Sequence, residues 1–258
     1  MRARRPPRLE LVPALLGVAL LVAVWEASVR VAGVDPIVLP APSRVLAALV
    51  DARADALRHT IPTLVETIVG FACSLALAVG VALAMDRIEP LRRALAPLLV
   101  ASQTIPLVAI APLIVIWFGF GLLPKVLVIV LVTFFPIVVA LLDGLASTDP
   151  DALDLLRAMG ASERDAFRKV RLPAALPTFF TGLRISITYA VVAAVFAEYV
   201  GATEGLGIWM QLARNAFRTD LVLGAVLIAS LLSIACFAAA GFAERLAIPW
   251  HRARRIGR

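Results

Sequence analysis

Charge is scarce in this chain, and residues for metal or redox chemistry are scarcer. Only 17% of its 258 residues are Asp, Glu, Lys or Arg, where soluble domains carry about 25%. Hydrophobic residues make up 61%, and the mean hydropathy is +0.94. A water-soluble globular domain is excluded, and the fold belongs in a bilayer. Cys73 and Cys236 both fall in apolar runs, and neither has a Cys or His partner at ligand spacing. They read as packing residues, and no metal or cofactor pattern emerges. His59 and His251 stand alone outside the expected spans. With no His-Glu-x-x-His and no serine set beside a base, an intramembrane protease is excluded. No Gly-x-x-x-x-Gly-Lys-Ser/Thr phosphate loop is present either, so the chain is not itself an ATPase. Lys and Arg exceed Asp and Glu by 25 to 18. Without interleaved aromatics that excess does not indicate nucleic acid, and arginines flanking membrane spans account for it.

What the chain has in quantity is long apolar runs. A spanning helix needs about 20 mostly apolar residues, and six stretches qualify: 11–32, 61–85, 98–118, 124–142, 179–200 and 221–246. The first follows MRARRPPR and resembles a signal peptide. It contains Trp25 and Glu26, though, and lacks a small-x-small cleavage site, so it reads as a retained span. GFGLLP alone separates the third and fourth, which predicts a tight helical hairpin. No repeat or low-complexity tract interrupts the chain, so residues 1–258 read as one all-α membrane domain.

Lys and Arg set the orientation. With the amino terminus inside, the inner segments hold seventeen: Arg2, Arg4, Arg5, Arg8, Arg87, Arg92, Arg93, five between 143 and 178, and five after Glu244. The outer segments hold five: Arg44, Arg53, Arg58, Arg214 and Arg218. Arg30, Lys125 and Arg184 sit near span ends and favour neither side. Both termini and the 143–178 insert are expected in the cytoplasm.

Two spans carry polar features. The third contains Ser102, Gln103, Thr104, Pro106 and Pro112. Each proline frees a carbonyl that lipid cannot satisfy, so this helix faces protein or water. It is either a kinked member of a packed bundle or a pathway lining, with Gln103, Thr104, Pro106 and Trp117 as the candidates. Glu198, late in the fifth span, is an intramembrane carboxylate and so a functional candidate; the alternative is a capped or interface-level group near the span's end, beside Tyr199 and Gly201. Glu26 and Arg30 are spaced to pair across one helical turn.

The insert holds the strongest pattern. Residues 149–177 read DPDALDLLRAMGASERDAFRKVRLPAALP. Asp149 before Pro150 marks a helix start. Ala152, Leu153, Leu155, Leu156 and Met159 give a short amphipathic helix ending at Gly160. Ser162 caps a second helix with Glu163 and Asp165 in its first turn, and Phe167, Val170 and Leu172 extend an apolar face until Pro173 stops it. Two amphipathic helices hinged at a glycine make a cytoplasmic knob, and their apolar faces call for a protein partner.

The insert resembles the EAA loop of ATP-binding-cassette (ABC) importer permeases. In that loop an acid and two small or apolar residues precede Gly by three positions, with an aliphatic and then Leu-Pro beyond. Asp154-Leu155-Leu156, Gly160, Val170 and Leu172-Pro173 fall at those places, with Asp for Glu and Leu-Leu for Ala-Ala as departures. The likeness runs through nearly the whole chain. LPAPSRVLAAL, GATEGLG and the final Pro-Trp are similar to the nitrate/sulfonate/taurine branch. One departure is Glu66, where that branch has Arg four residues before Gly-Phe. SQTIPLVAIAPLIVIWFGFGLLPK and VTFFPIVVALLDGL are closer to permeases for thiamine-precursor pyrimidines and riboflavin.

The resemblance implies a type I importer permease in a bacterial inner membrane. Two copies would form the pore, ATP-binding cassette subunits would dock on the 149–173 loops, and an extracytoplasmic binding protein would deliver the ligand. The contact would use Asp151, Asp154, Leu155, Leu156, Met159, Gly160, Ala161, Ser162, Phe167, Val170, Leu172 and Pro173. A secondary transporter or channel remains the rival, on the strength of Glu198 and the proline-rich third span.

Overall fold

The computed structural model describes residues 7–250. The expected cytoplasmic flanks at 1–6 and 251–258, His251 included, lie outside the described residues. Among those described, the order is α1 (Pro7–Ala32), α2 (Pro42–Asp51), α3 (Arg53–Arg87), α4 (Glu89–Ser102), α5 (Leu107–Phe118), α6 (Leu122–Ala146), α7 (Pro150–Ala158), α8 (Glu163–Ala166), a π-helical turn (Phe167–Arg171), α9 (Leu172–Gly201), α10 (Leu206–Asn215) and α11 (Thr219–Ala247). Five helical stretches are long and apolar enough to cross a membrane, and α4 with α5 would make a sixth if counted as one span.

α3, α6 and α9 form the centre. Their shared core includes Ala78, Ala82, Met85, Val128, Ile129, Ile137, Val138, Ala190, Ala193 and Ala194, all buried. The alanines on α9 let its backbone approach α6 closely, which is how helices gain packing where the hydrophobic effect cannot drive them together. Thr133 and Ser74 join their hydroxyls across the α3–α6 seam at 2.7 Å. Such interhelical bonds contribute about 0.6 kcal/mol each. Large apolar residues point outward from α1 and α5, Leu21 and Ile116 among them. In water that surface would be an aggregation hazard; it suits contact with lipid or with a second membrane chain. The Glu26–Arg30 pair forms as the spacing predicts, at 2.6 Å, and Glu26 also accepts from Ser43 at the start of α2.

Several expectations are corrected. The third span is not one kinked helix: α4 and α5 meet at a 102° bend. Neither Gln103 nor Thr104 continues the helix, and Pro106 caps α5 with an extended backbone. Pro106 has no N–H to give α4 another rung, and it biases the residue before it away from helix. Leu122, Leu123 and Pro124 belong to α6, so the link between α5 and α6 is shorter than GFGLLP. Pro173 does not stop the second knob helix. The π-helical turn before it widens the ladder, with the Leu172 N–H reaching Phe167 O, and takes up the irregularity of a proline inside the helix, so the chain is helical without interruption from Glu163 to Gly201. The outer segments that hold Arg44, Arg53, Arg58 and Arg214 are helical, in α2, the first turns of α3, and α10. Cys73 is exposed rather than packed. His59 lies inside α3 and is buried.

Candidate coupling site and transport pathway

The 149–173 segment folds as a knob at one end of the bundle. Asp149 caps α7, its side chain accepting from the Asp151 N–H at 3.0 Å, and Pro150 occupies the first turn. The helix ends in a Schellman motif. The Gly160 N–H donates to Arg157 O at 2.9 Å and the Ala161 N–H to Leu156 O at 3.0 Å, with Gly160 at φ +83°. That backbone region is open to glycine at no steric cost, which is why the reversal falls there. Ser162 restarts the helix by accepting from the Asp165 N–H.

No residue of α7 is fully buried. Leu155 and Met159, one turn apart, are 63% and 75% exposed, while Asp154 and Glu163 hold Arg157 at 3.3 and 3.0 Å. The Glu163 hydrogen bond, supported by Asp154, raises the Arg157 pKa further above its ordinary value. The knob thus presents an apolar tip with a fixed charged flank. Asp151 and Ser162 are also exposed; Leu156, Ala161, Phe167, Val170, Leu172 and Pro173 are half-buried toward the bundle.

The knob is tied to α3 by Arg171 and Phe167. Arg171 forks onto both Asp86 oxygens at 3.1 and 2.7 Å, and the Arg87 guanidinium lies 5.9 Å from the centre of the Phe167 ring. A bidentate Arg–carboxylate pair fixes orientation as well as distance. An acid closing the second span and an arginine before Leu-Pro were the available signal, but nothing in the sequence paired them.

The proposed pathway residues divide. Gln103, Thr104 and Pro106 are exposed around the α4–α5 bend, and Trp117 is exposed at the far end of α5. Glu198 is elsewhere and fully buried. Its Oε1 accepts from the Thr63 hydroxyl at 2.6 Å and its Oε2 from the Gly207 N–H at 2.8 Å. Thr63 in turn accepts from the Leu206 N–H at 2.9 Å, and His59 Nδ1 accepts from the Gly205 N–H at 3.1 Å. Helix starts leave N–H groups without intrahelical partners and carry positive partial charge. Three side chains from α3 and α9 satisfy those groups for α10. The His59 ring also stacks on Trp209, with centroids 5.9 Å apart. Gly205, at φ +125°, is required here: a Cβ would stand 2.2 Å from the Glu198 carboxyl carbon. Glu66, the departure from the branch pattern, is buried and ion-paired with Lys125 of α6.

Comparison with known proteins agrees with this architecture. Residues 76–250 match the family model described as binding-protein-dependent transport system inner membrane component. The formylaminopyrimidine transport permease protein ThiX of Halalkalibacterium halodurans is 40% identical over 90% of this chain and 93% of its own. The riboflavin transport system permease protein RibX of Chloroflexus aurantiacus is 36% identical, covering 90% and 87%. The taurine transport system permease protein TauC of Escherichia coli is 30% identical, covering 90% and 87%. Among solved structures, an inward-facing form of the MetNI methionine ABC transporter aligns with a TM-score of 0.66 at 20% identity, over 76% of this chain and 97% of that one. At that identity the likeness speaks for the fold alone. The chain belongs to the family of binding-protein-dependent transport system inner membrane components, and is a multi-span permease subunit of an ABC importer.

Proposed function

We propose that two copies of this permease enclose a route for a small heteroaromatic nutrient of the pyrimidine or flavin kind, with the α7 knob docking on a separate ATPase. The observation that carries the coupling role is the pair Leu155 and Met159, exposed on a knob whose base is clamped to α3. Burying such side chains in a partner groove contributes about 1.5–3 kcal/mol each. The proposed contact set remains Asp151, Asp154, Leu155, Leu156, Met159, Gly160, Ala161 and Ser162 at the tip, with Phe167, Val170, Leu172 and Pro173 joining it to the bundle.

The helix from Glu163 to Gly201 gives the knob its reach. Its 39 residues extend roughly 60 Å at about 1.5 Å per residue. Its first turn belongs to the knob and its last holds Glu198 against α10. Closure of an ATPase dimer would bring the knobs together and tilt this rod, moving the α10 latch at the opposite end. Gln103, Thr104, Pro106 and Trp117 lie on surfaces that a second copy would enclose. The excess of arginines around α7 supports a cytoplasmic position for that end and for both termini. Reporter fusions within 149–171 should read cytoplasmic and those within 205–218 external; the opposite pattern overturns the orientation.

The ligand class rests on the relatives that transport a formylaminopyrimidine and riboflavin; the taurine relative supports sulfonates as the second reading. ATP hydrolysis by the reconstituted complex, screened over pyrimidines, flavins, sulfonates and nitrate, decides between them. Stimulation by a pyrimidine or flavin supports the proposal, and stimulation by sulfonate alone replaces it.

A further inference from the structure

The buried face of α3 behind α10 gathers more acid than its neighbours neutralise. His59, Thr63, Glu66 and Thr67 recur there at helical spacing, and all four are buried. Thr63 bonds Glu198 of α9 at 2.6 Å. Glu66, almost one turn further along α3, brings its carboxyl group within hydrogen-bonding reach of the Glu198 carboxyl. Lys125 of α6 pairs with Glu66 Oε1. The other oxygen, Glu66 Oε2, is buried with no hydrogen-bond partner, on a residue only 6% exposed.

The surroundings supply little further charge among the described residues. His59 Nδ1 accepts from the Gly205 N–H, so that ring nitrogen carries no proton. At the rim, Arg58 is taken by Glu204 at 2.9 Å. The first turn of α10, from Leu206 to Trp209, has no ionisable side chain, and its helix start offers about half a positive charge. One ammonium and that partial charge thus face two carboxyl groups. Elsewhere the enclosed acids are matched: Asp86, Asp220 and Glu244 each face an arginine of their own. Two ionised carboxylates in contact repel strongly, and such pairs keep one proton between them. A water molecule would satisfy Oε2 but would leave the excess charge in place.

We propose that Glu66 and Glu198 hold one proton between them, and that this proton joins the α10 latch to the Glu66–Lys125 ion pair. It gives Glu66 Oε2 the hydrogen bond it otherwise lacks. It also links α3 and α6 to α9 and, through the Gly207 N–H on Glu198, to α10. The proton belongs to the pair rather than to either residue. Its loss sets two negative charges side by side behind the Gly205–Gly207 turn and loosens α10, so the latch responds to pH from within. Every group involved lies inside one chain, so the inference is independent of the transported ligand and of how two copies pack.

Infrared spectroscopy of the permease in an ester-free detergent tests it. At neutral pH wild type should show the carbonyl stretch of a protonated carboxyl group, shifted when the protein is prepared in D2O. Glu66→Gln and Glu198→Gln should each remove that band, because either leaves a single carboxylate for Lys125. Thermal unfolding gives a second readout. The folded chain holds a proton that the unfolded chain releases above the ordinary carboxyl range, so wild-type stability should fall as pH rises until the pair lets go. Over that window the unfolding constant should grow about tenfold per pH unit, and Glu198→Gln should flatten the dependence. No band in wild type, or a band that outlasts either replacement, overturns the proposal. So does a midpoint that rises with sodium while the band is absent, which gives the charge balance to a metal cation.

Discussion

Replacing Gly160 separates two reasons for a glycine at the knob's turn. A Cβ there would meet no atom within 4 Å, so space is not the constraint within this chain. The backbone is: φ is +83°, a region that costs an L-residue about 1–2 kcal/mol. Asn pays less than Ala because its side chain bonds locally, and a β-branched residue pays more. A penalty of about 1–2 kcal/mol shifts the knob's conformational equilibrium by a factor of about 5–30. Membrane insertion should be unaffected, because the turn is exposed and outside the packed bundle. Ligand-stimulated ATP hydrolysis in proteoliposomes should therefore fall in the order Gly, Asn, Ala, Val. Gly160→Pro also removes the N–H bonded to Arg157 O and should abolish coupling, as should Gly160→Trp at a docked surface. Wild-type hydrolysis by Gly160→Val would refute the reasoning. If Asn proved as poor as Val, crowding at the ATPase rather than backbone handedness would be the cause.

Glu198→Ala leaves the buried Gly207 N–H without its acceptor, at about 1–3 kcal/mol, while the Thr63 hydroxyl keeps His59 O as an acceptor at 3.1 Å. Thermal unfolding in detergent should show a lowered midpoint for Glu198→Ala and a smaller loss for Glu198→Gln; an unchanged Glu198→Ala midpoint contradicts the latch. Arg171→Ala and Asp86→Asn should each uncouple ATP hydrolysis from uptake, and the double variant should be no worse than either, since both break one pair. Additive losses would mean that the two residues act separately.

The knob was legible because its determinants are local. Asp149-Pro150, Gly160 and Ser162 each act through backbone groups within a few residues, so their spacing alone specified a capped helix, a reversal and a restart. Five of the six apolar runs were legible as single spanning helices for the same reason, since span length is fixed by the bilayer. What failed depended on geometry between segments. Pro106 could kink a helix or end it, and apolar composition is the same on both sides of a 102° bend. Pro173 was read as a stop because a proline inside a helix is costly, whereas here a π-helical turn immediately before it accommodates the missing N–H. Glu198 could be read as a functional intramembrane acid or as a capped, interface-level group, because its partners Thr63 and Gly207 lie far along the chain or across a turn. Asp86 and Arg171 are 85 residues apart, beyond any periodicity that would join them.

The central claim is that the α7 tip holds the ATPase, and co-purification with the ATP-binding subunit tests it most directly. The permease should retain that subunit as wild type and as Cys73→Ser, and lose it as Leu155→Asp with Met159→Asp, while all three forms insert equally. Asp154→Lys should weaken retention less, because a charged rim contact contributes less than the packed centre of an interface. Full retention by the Leu155→Asp, Met159→Asp variant would contradict the account.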